Sequence, residues 1–255
     1  MQKYCRIVPI GIIERGDFHE LRIQAISGES LHEVDAFLDT LAIRIMRYYE
    51  SQPYDELLEI ELDTLNKPAR NKHFYRRLFE EDGRYKSDFI TIASETIGAW
   101  IEESLEPNLI VHPGEPHNSD PCFDVLSIYE EEGIPRLRVV QVKATENELQ
   151  DNCNKALSKF EQLENGDFEA ELSSRLKLIL GQRGAPDGLS ARELKLNRRY
   201  RVTVVHGQER DGLHIMTTYS EKVSGEVVRR SGVLMKIGWP GFWGQIARRI
   251  YAKLT

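Results

Sequence analysis

Apolar positions recur along this chain in two periods, and the switches between them mark its elements. Residues 5–14 (CRIVPIGIIE) and 20–26 (ELRIQAI) are apolar and β-branched around a Gly16-Asp17 turn, which predicts two strands. Ser30-Leu31-His32-Glu33 has the form of a capping box. After it, Leu31, Val34, Phe37, Leu38, Leu41 and Ile45 recur at helical spacing, predicting an amphipathic helix through Tyr49. Residues 55–65 fit no single period, and 71–81 predict a helix stopped at Asp82-Gly83. The next helix is predicted over 87–104, carrying Ile90, Ile92, Ile97, Trp100 and Ile101 and ended by Pro107. A short strand over 109–111 is followed by a proline-rich, polar loop over 112–121. Residues 123–129 (FDVLSIY) and 137–145 (LRVVQVKAT) predict two strands of an antiparallel hairpin, joined by a turn over 130–135. Helices are predicted over 146–165 and 168–180, a loop over 181–188, strands over 201–206, 213–219 and 232–237, and a last helix over 240–254. The expected class is α/β, a mixed central sheet flanked by helices. Residues 1–86 read as an N-terminal α/β extension that could dock a partner, and 87–255 as the main domain.

With 40% hydrophobic and 29% charged residues, the composition is that of a folded globular chain. No apolar run is long enough for a membrane helix, and the N-terminus lacks a signal-peptide pattern. A cytoplasmic location, with no membrane partner, is therefore expected. Cys5, Cys122 and Cys153 are too scattered for a disulfide framework or a zinc site, and read as buried or incidental thiols. The net charge of -7 counts against nucleic-acid binding, but its distribution tempers that. Residues 227–255 contain no Asp or Glu, yet hold Arg248 and Arg249 among six basic residues. Another basic stretch holds Arg198 and Arg199, and a third runs from Lys67 to Arg77. These arginines are candidates for contacts with a nucleic acid, with a solvated face as the alternative.

The chemistry concentrates in two segments, Asp120-Pro-Cys-Phe-Asp124 and Val139-Val-Gln141-Val-Lys143. Side chains alternate along a strand, so Gln141 and Lys143 project together while Val140 and Val142 go the other way. Asp124 begins the preceding strand, where pairing would bring it close to Gln141. Glu95 lies on the helix leading into this unit. Oxygens from Glu95, Asp124 and Gln141 make a partial shell of the kind Mg2+ takes, with Lys143 placed to orient a water or stabilise charge on a phosphate. A solvent-facing Gln/Lys pair on an edge strand is the alternative. The sequence carries no GxxxxGK[ST], GxSxG or HExxH motif. His112, Glu115 and His117 read as a polar loop, and Trp239, Phe242 and Trp243 as core or docking aromatics.

Helix Glu, strand Asp, then a strand with Gln-x-Lys and a following helix resembles the PD-(D/E)XK nuclease core over about residues 87–165. Gln141 stands where the family usually has an acidic residue, a variation also found in Mrr-like restriction enzymes. The Pro-Asp order is reversed, which leaves Asp120 as runner-up to Asp124. The resemblance implies a restriction-endonuclease-like fold, hydrolysis of DNA with Mg2+ (or Mn2+ in its place), and Glu95, Asp124, Gln141 and Lys143 as the catalytic set. It also implies work in restriction, repair or antiviral defence beside an ATPase or helicase. In general layout the chain is similar to the nuclease subunit of Hachiman-type phage defence. A nuclease-like subunit without activity, and an RNA-directed nuclease of the same fold, are the rival readings.

Overall fold

The computed structural model describes residues 5–13, 16–23, 31–51, 78–80, 83–86, 88–111, 123–181, 188–207, 230–237 and 241–254. Thirteen elements follow in order: β1 (Cys5–Ile13), β2 (Gly16–Ile23), α1 (Leu31–Ser51), α2 (Asp88–Leu105), β3 (Leu109–Val111), β4 (Val125–Glu131), β5 (Ile134–Thr145), α3 (Leu149–Glu164), α4 (Glu169–Gly181), α5 (Ala191–Leu196), β6 (Arg199–His206), β7 (Arg230–Lys236) and α6 (Gly241–Leu254). The strands form one mixed sheet in the order β1-β2-β7-β6-β5-β4-β3. β5, β6 and β7 run parallel in its centre, with antiparallel pairs at both sides. β2 pairs with β7 in parallel, so the N-terminal hairpin extends the same sheet. The expected α/β class is the one observed.

Period-2 alternation divides the sheet residues between two helical layers. Leu137 and Val139 of β5, with Tyr200, Val202 and Val204 of β6, pack under α3, α4 and α5. Val140 and Val142 face the other way with Ala99 of α2, while Val205, Val233 and Met235 meet α1, α2 and α6. Phe37 of α1 stacks on Trp100 of α2 at 5.3 Å between ring centroids, and Phe242 and Trp243 of α6 complete that core. No described helix is long and apolar enough to cross a membrane. Cys153 is fully buried in α3, and burial pushes its thiol pKa up to about 12.

Several expectations shift in detail. The β4–β5 turn is two residues long instead of six: Glu132 and Gly133 both take positive φ (55° and 77°), so both strands run closer to the turn. That backbone matches the twist of paired strands and is easiest for glycine. Helix α5 was not expected; Ser190 caps it by accepting the Glu193 N–H at 3.4 Å. Asp120, His112, Glu115, His117, Cys122, Trp239, the ambiguous stretch 55–65 and the strand expected over 213–219 lie outside the described residues. So does most of the helix expected over 71–81; its described end, Phe79, bridges to Tyr85 instead.

Candidate metal centre

Strand lengths create the site. β4 pairs with β5 from Glu131↔Ile134 to Val125↔Val140 and stops there, while β5 continues to Thr145. Among the described residues, β5 therefore loses its β4 neighbour from Gln141 onward. Asp124 sits at this fork. Its N–H donates to the Val140 carbonyl at 3.0 Å, and its Oδ2 accepts the Val142 N–H at 2.5 Å, replacing the missing ladder partner. The register thus sets Asp124 opposite Gln141. Lys143 Nζ approaches Asp124 Oδ2 at 3.7 Å.

Gln141 is 2% exposed, on a strand flanked by β4 and β6. Gln141 is thus not solvent-facing, whereas the Lys143 side chain is 27% exposed. Glu95 is 6% exposed, and its Oε2 has no hydrogen-bond partner among the described residues. Burial raises the Glu95 pKa to about 8; Asp124 adds to the rise, while Lys143 and Arg175 oppose it. Burial likewise lifts Asp124 above the ordinary carboxylate range, against the pull of Lys143, the Val142 N–H and Lys159. Two buried carboxylates that both resist ionisation make a place where a divalent cation would be welcome. Among the described residues no three His, Cys, Asp or Glu side chains cluster, so Glu95 and Asp124 are the acidic donors at the fork, with Gln141 on the strand beside them. That set suits a hard cation that keeps water in its shell.

No protein-family model matches this chain, and no curated protein matches it either. The site must therefore be judged on its own geometry.

Helix α2 is positioned by a stripe that the apolar periodicity does not reveal. Glu95, Gly98, Ala99 and Glu102 lie at helical spacing on the face toward β4 and β5. A Cβ on Gly98 would stand 2.4 Å from Val142 Cγ2, so only glycine lets the helix come this close. One helical turn pair further on, Glu102 is fully buried. It accepts from Ser127 Oγ at 2.7 Å and Arg138 Nη1 at 3.0 Å, and pairs with Arg201 Nη1. Arg138 also reaches Glu106 Oε2 at 2.7 Å and covers the Tyr129 ring at 3.9 Å. This ion cluster fastens α2 to β4, β5 and β6.

Arg175 and Lys159 were not among the sequence candidates. Arg175 lies in α4 beside the buried Leu172 and Leu176, over the Phe123 ring at 5.6 Å, and Lys159 of α3 is over Phe168 at 5.0 Å. A cation set into an apolar helical stripe was the available signal. The four arginines expected to meet nucleic acid have different surroundings. Arg198 pairs with Glu169 at 2.5 Å and Glu164 at 3.5 Å, and Arg199 with Glu131 at 3.5 Å. Arg249 ties α6 to α1 through Asp35 and, at 3.4 Å, Asp39. Arg248 is exposed and lines a groove.

The raised Glu95 pKa has a measurable consequence. Between its unfolded value near 4.5 and about 8, the folded metal-free protein holds a proton that the unfolded chain releases. Stability from this group is therefore full below 4.5 and is lost as pH rises through 8, by at most about 5 kcal/mol. Urea melts in EDTA should show the wild type weaker at pH 8.5 than at pH 6, with Mg2+ restoring it and Glu95→Gln flattening the difference. Equal pH slopes in wild type and Glu95→Gln would mean that the carboxylate is not held in this environment.

Proposed function

We propose that this chain is a metal-dependent nuclease with a PD-(D/E)XK, restriction-endonuclease-like core, hydrolysing phosphodiester bonds in DNA. The observation that carries the reading is the buried Glu95 oxygen, without a hydrogen-bond partner among the described residues and within electrostatic reach of Asp124 and Lys143 at the strand fork. Glu95, Asp124 and the Gln141 amide oxygen would hold Mg2+, or Mn2+ in its place. When bound, such an ion supplies charge neutralisation at the phosphate and a more acidic water. Asp124 is already oriented by the Val142 N–H, so its free oxygen edge faces the site without a search through rotamers. Lys143 is partly exposed, 27% at its side chain, and so can reach a phosphate oxygen while its base stays fixed on β5. It would donate hydrogen bonds to the charge that builds there. Arg175 adds a second cation on the side of α4.

A cytoplasmic role in restriction, repair or antiviral defence goes with this reading, as does an ATPase or helicase partner that controls access to DNA. The absence of a P-loop motif from the chain supports a separate ATPase. The test is cleavage of single- and double-stranded DNA and RNA at low salt, in Mg2+ and in EDTA, with and without a co-encoded ATPase and ATP. DNA cleavage only in Mg2+ is expected. Cleavage of RNA alone would replace the substrate but keep the site. Cleavage of nothing, with no heat of Mg2+ binding, would leave a nuclease-like binding subunit.

Gln141→Glu separates an active site from an inactive one. It restores a charged oxygen of nearly the same shape, so cleavage should persist and the Mg2+ concentration for half-maximal rate should fall or stay level. Loss of activity would place the amide N–H, and not the oxygen, in the working role.

A further inference from the structure

Alternation along β5 places Gln141 and Lys143 on the face shared by Leu137 and Val139, which α3 and α4 cover. Helix α3 thus lies on the side of the sheet toward which Lys143 projects. Its apolar stripe, with Leu157, Phe160 and Leu163, is buried, and Phe160 stacks on Tyr200 at 4.6 Å. Lys159 stands just off that stripe and is half-buried. Its charge reaches Asp124, where it adds to the pull of Lys143 and the Val142 N–H toward the ionised carboxylate. Sheet and helix therefore each bring one ammonium to the same carboxylate.

The second ammonium is held by a residue in an uncommon conformation. Lys159 Nζ lies over the Phe168 ring at 5.0 Å, a cation–π contact between α3 and the residue that leads into α4. Phe168 takes φ 62°, a left-handed backbone that a bulky side chain seldom adopts. Backbone bonds fasten the turn around it. Gly166 N–H donates to the Leu163 carbonyl at 3.2 Å and Asp167 N–H to the Gln162 carbonyl at 3.0 Å, while the Phe168 carbonyl accepts the Leu172 N–H at 3.0 Å. Such a conformation persists where its surroundings over-determine it, and residues of this kind cluster at ligand sites. We propose that Lys159, aimed by Phe168, binds the DNA phosphate next to the one held at the metal centre. The identity of that ligand rests on the nuclease reading. Lys143 rises from the sheet and Lys159 from the helix layer, so a strand entering the fork meets both in turn. An ammonium binds phosphate as a point charge and reads no base, so the contact fixes the strand without selecting its sequence. With the lysine stem already restrained by the ring, less freedom is lost when phosphate arrives.

Binding can be read apart from cleavage. The full chain is titrated in Ca2+, a hard cation that takes carboxylate ligands, with a labelled oligothymidine strand and with a labelled short duplex over a range of salt. At least one probe is expected to bind. Lys159→Gln should weaken that binding about tenfold and lower its salt dependence by about one counterion. Lys159→Arg keeps the charge and should stay near wild type. Phe168→Leu keeps apolar bulk but removes the ring face; it should weaken binding about threefold in the wild-type background and not at all in Lys159→Gln. Binding of neither probe, unchanged binding by Lys159→Gln, or an equal effect of Phe168→Leu in both backgrounds would overturn the proposal. The two readings also separate. Weakened binding by Lys159→Gln, in a protein that cleaves nothing in Mg2+, upholds the lysine and sinks the nuclease. Mg2+-dependent cleavage with binding untouched by Lys159→Gln does the reverse.

Discussion

Asp124→Ala and Lys143→Ala should each lower Mg2+-dependent DNA cleavage on the order of a thousandfold or more. Asp124 is the carboxylate that meets both Lys143 and the β5 backbone, so its loss removes an oxygen donor and the group that fixes the fork. The alanine variant leaves the Val142 N–H without its acceptor, a cost of about 1–3 kcal/mol. Asp124→Asn is therefore the better discriminator. It keeps an oxygen for that N–H but removes the charge, so it should stay folded and inactive. Lys143 makes only a long contact at 3.7 Å and is partly exposed, so Lys143→Ala should melt within about 1 kcal/mol of wild type. Single-turnover cleavage, read beside urea melts, decides the matter. Near wild-type rates in Asp124→Asn or Lys143→Ala would remove the proposed centre.

Glu102→Ala should destabilise the protein by about 3–5 kcal/mol, because it removes the carboxylate that two buried guanidinium groups share, although Arg138 keeps Glu106. Arg201 and Arg138 are 4% and 7% exposed, so water cannot readily replace the lost carboxylate. Burial opposes ionisation of Glu102, but Arg201, Arg138 and the Ser127 hydroxyl outweigh it and hold the pKa below the ordinary range. The resulting stability is full above the unfolded value near 4.5 and is lost as pH falls through the lower folded value. This is the opposite sign to Glu95, so the two carboxylates on one helix should limit the metal-free protein from opposite ends of the pH scale. If Glu102→Ala is too weak to purify, Glu102→Gln keeps an acceptor for Ser127 and should fall between the two. Replacing the cluster together, as Glu102→Leu with Arg138→Met and Arg201→Met, should recover much of the loss. A cost below about 1 kcal/mol for Glu102→Ala would show that the cluster is not what fastens α2.

Much of the architecture was legible because the elements are strongly periodic. Leu137, Val139, Val140 and Val142 alternate cleanly enough to set both faces of β5, and Ile92, Ile97, Trp100 and Ile101 mark the apolar side of α2. The antiparallel pairing of the strand after Asp124 with the one that carries Gln141 was legible from the two apolar runs and the turn between them. Other features depended on distances that a one-dimensional pattern does not carry. Glu102 and Arg201 are 99 positions apart, and each alone looks like an ordinary surface charge. Arg175 and Glu95 come within electrostatic reach although 80 positions separate them. The acidic partners of the basic stretches were hidden for the same reason: Glu164 and Glu169 lie across from Arg198. Turn length was hidden too, since Glu132 had to adopt a backbone conformation that non-glycine residues seldom choose.

Gly98 sits between the two carboxylates of α2, where the helix has no side chain to hold it off Val142. On one side of this contact the charges of Glu102 are answered within the protein; on the other, Glu95 Oε2 has no hydrogen-bond partner among the described residues. The helix thus behaves like a beam bolted at one end and resting on a close fulcrum. Tightness at the fulcrum transmits the fixed end to the unfinished one, so Glu95 cannot retreat toward solvent to relieve its burial. A cation arriving at the fork would meet a ligand already in position, and the rigidity needed for that readiness resides in a place where an atom is missing.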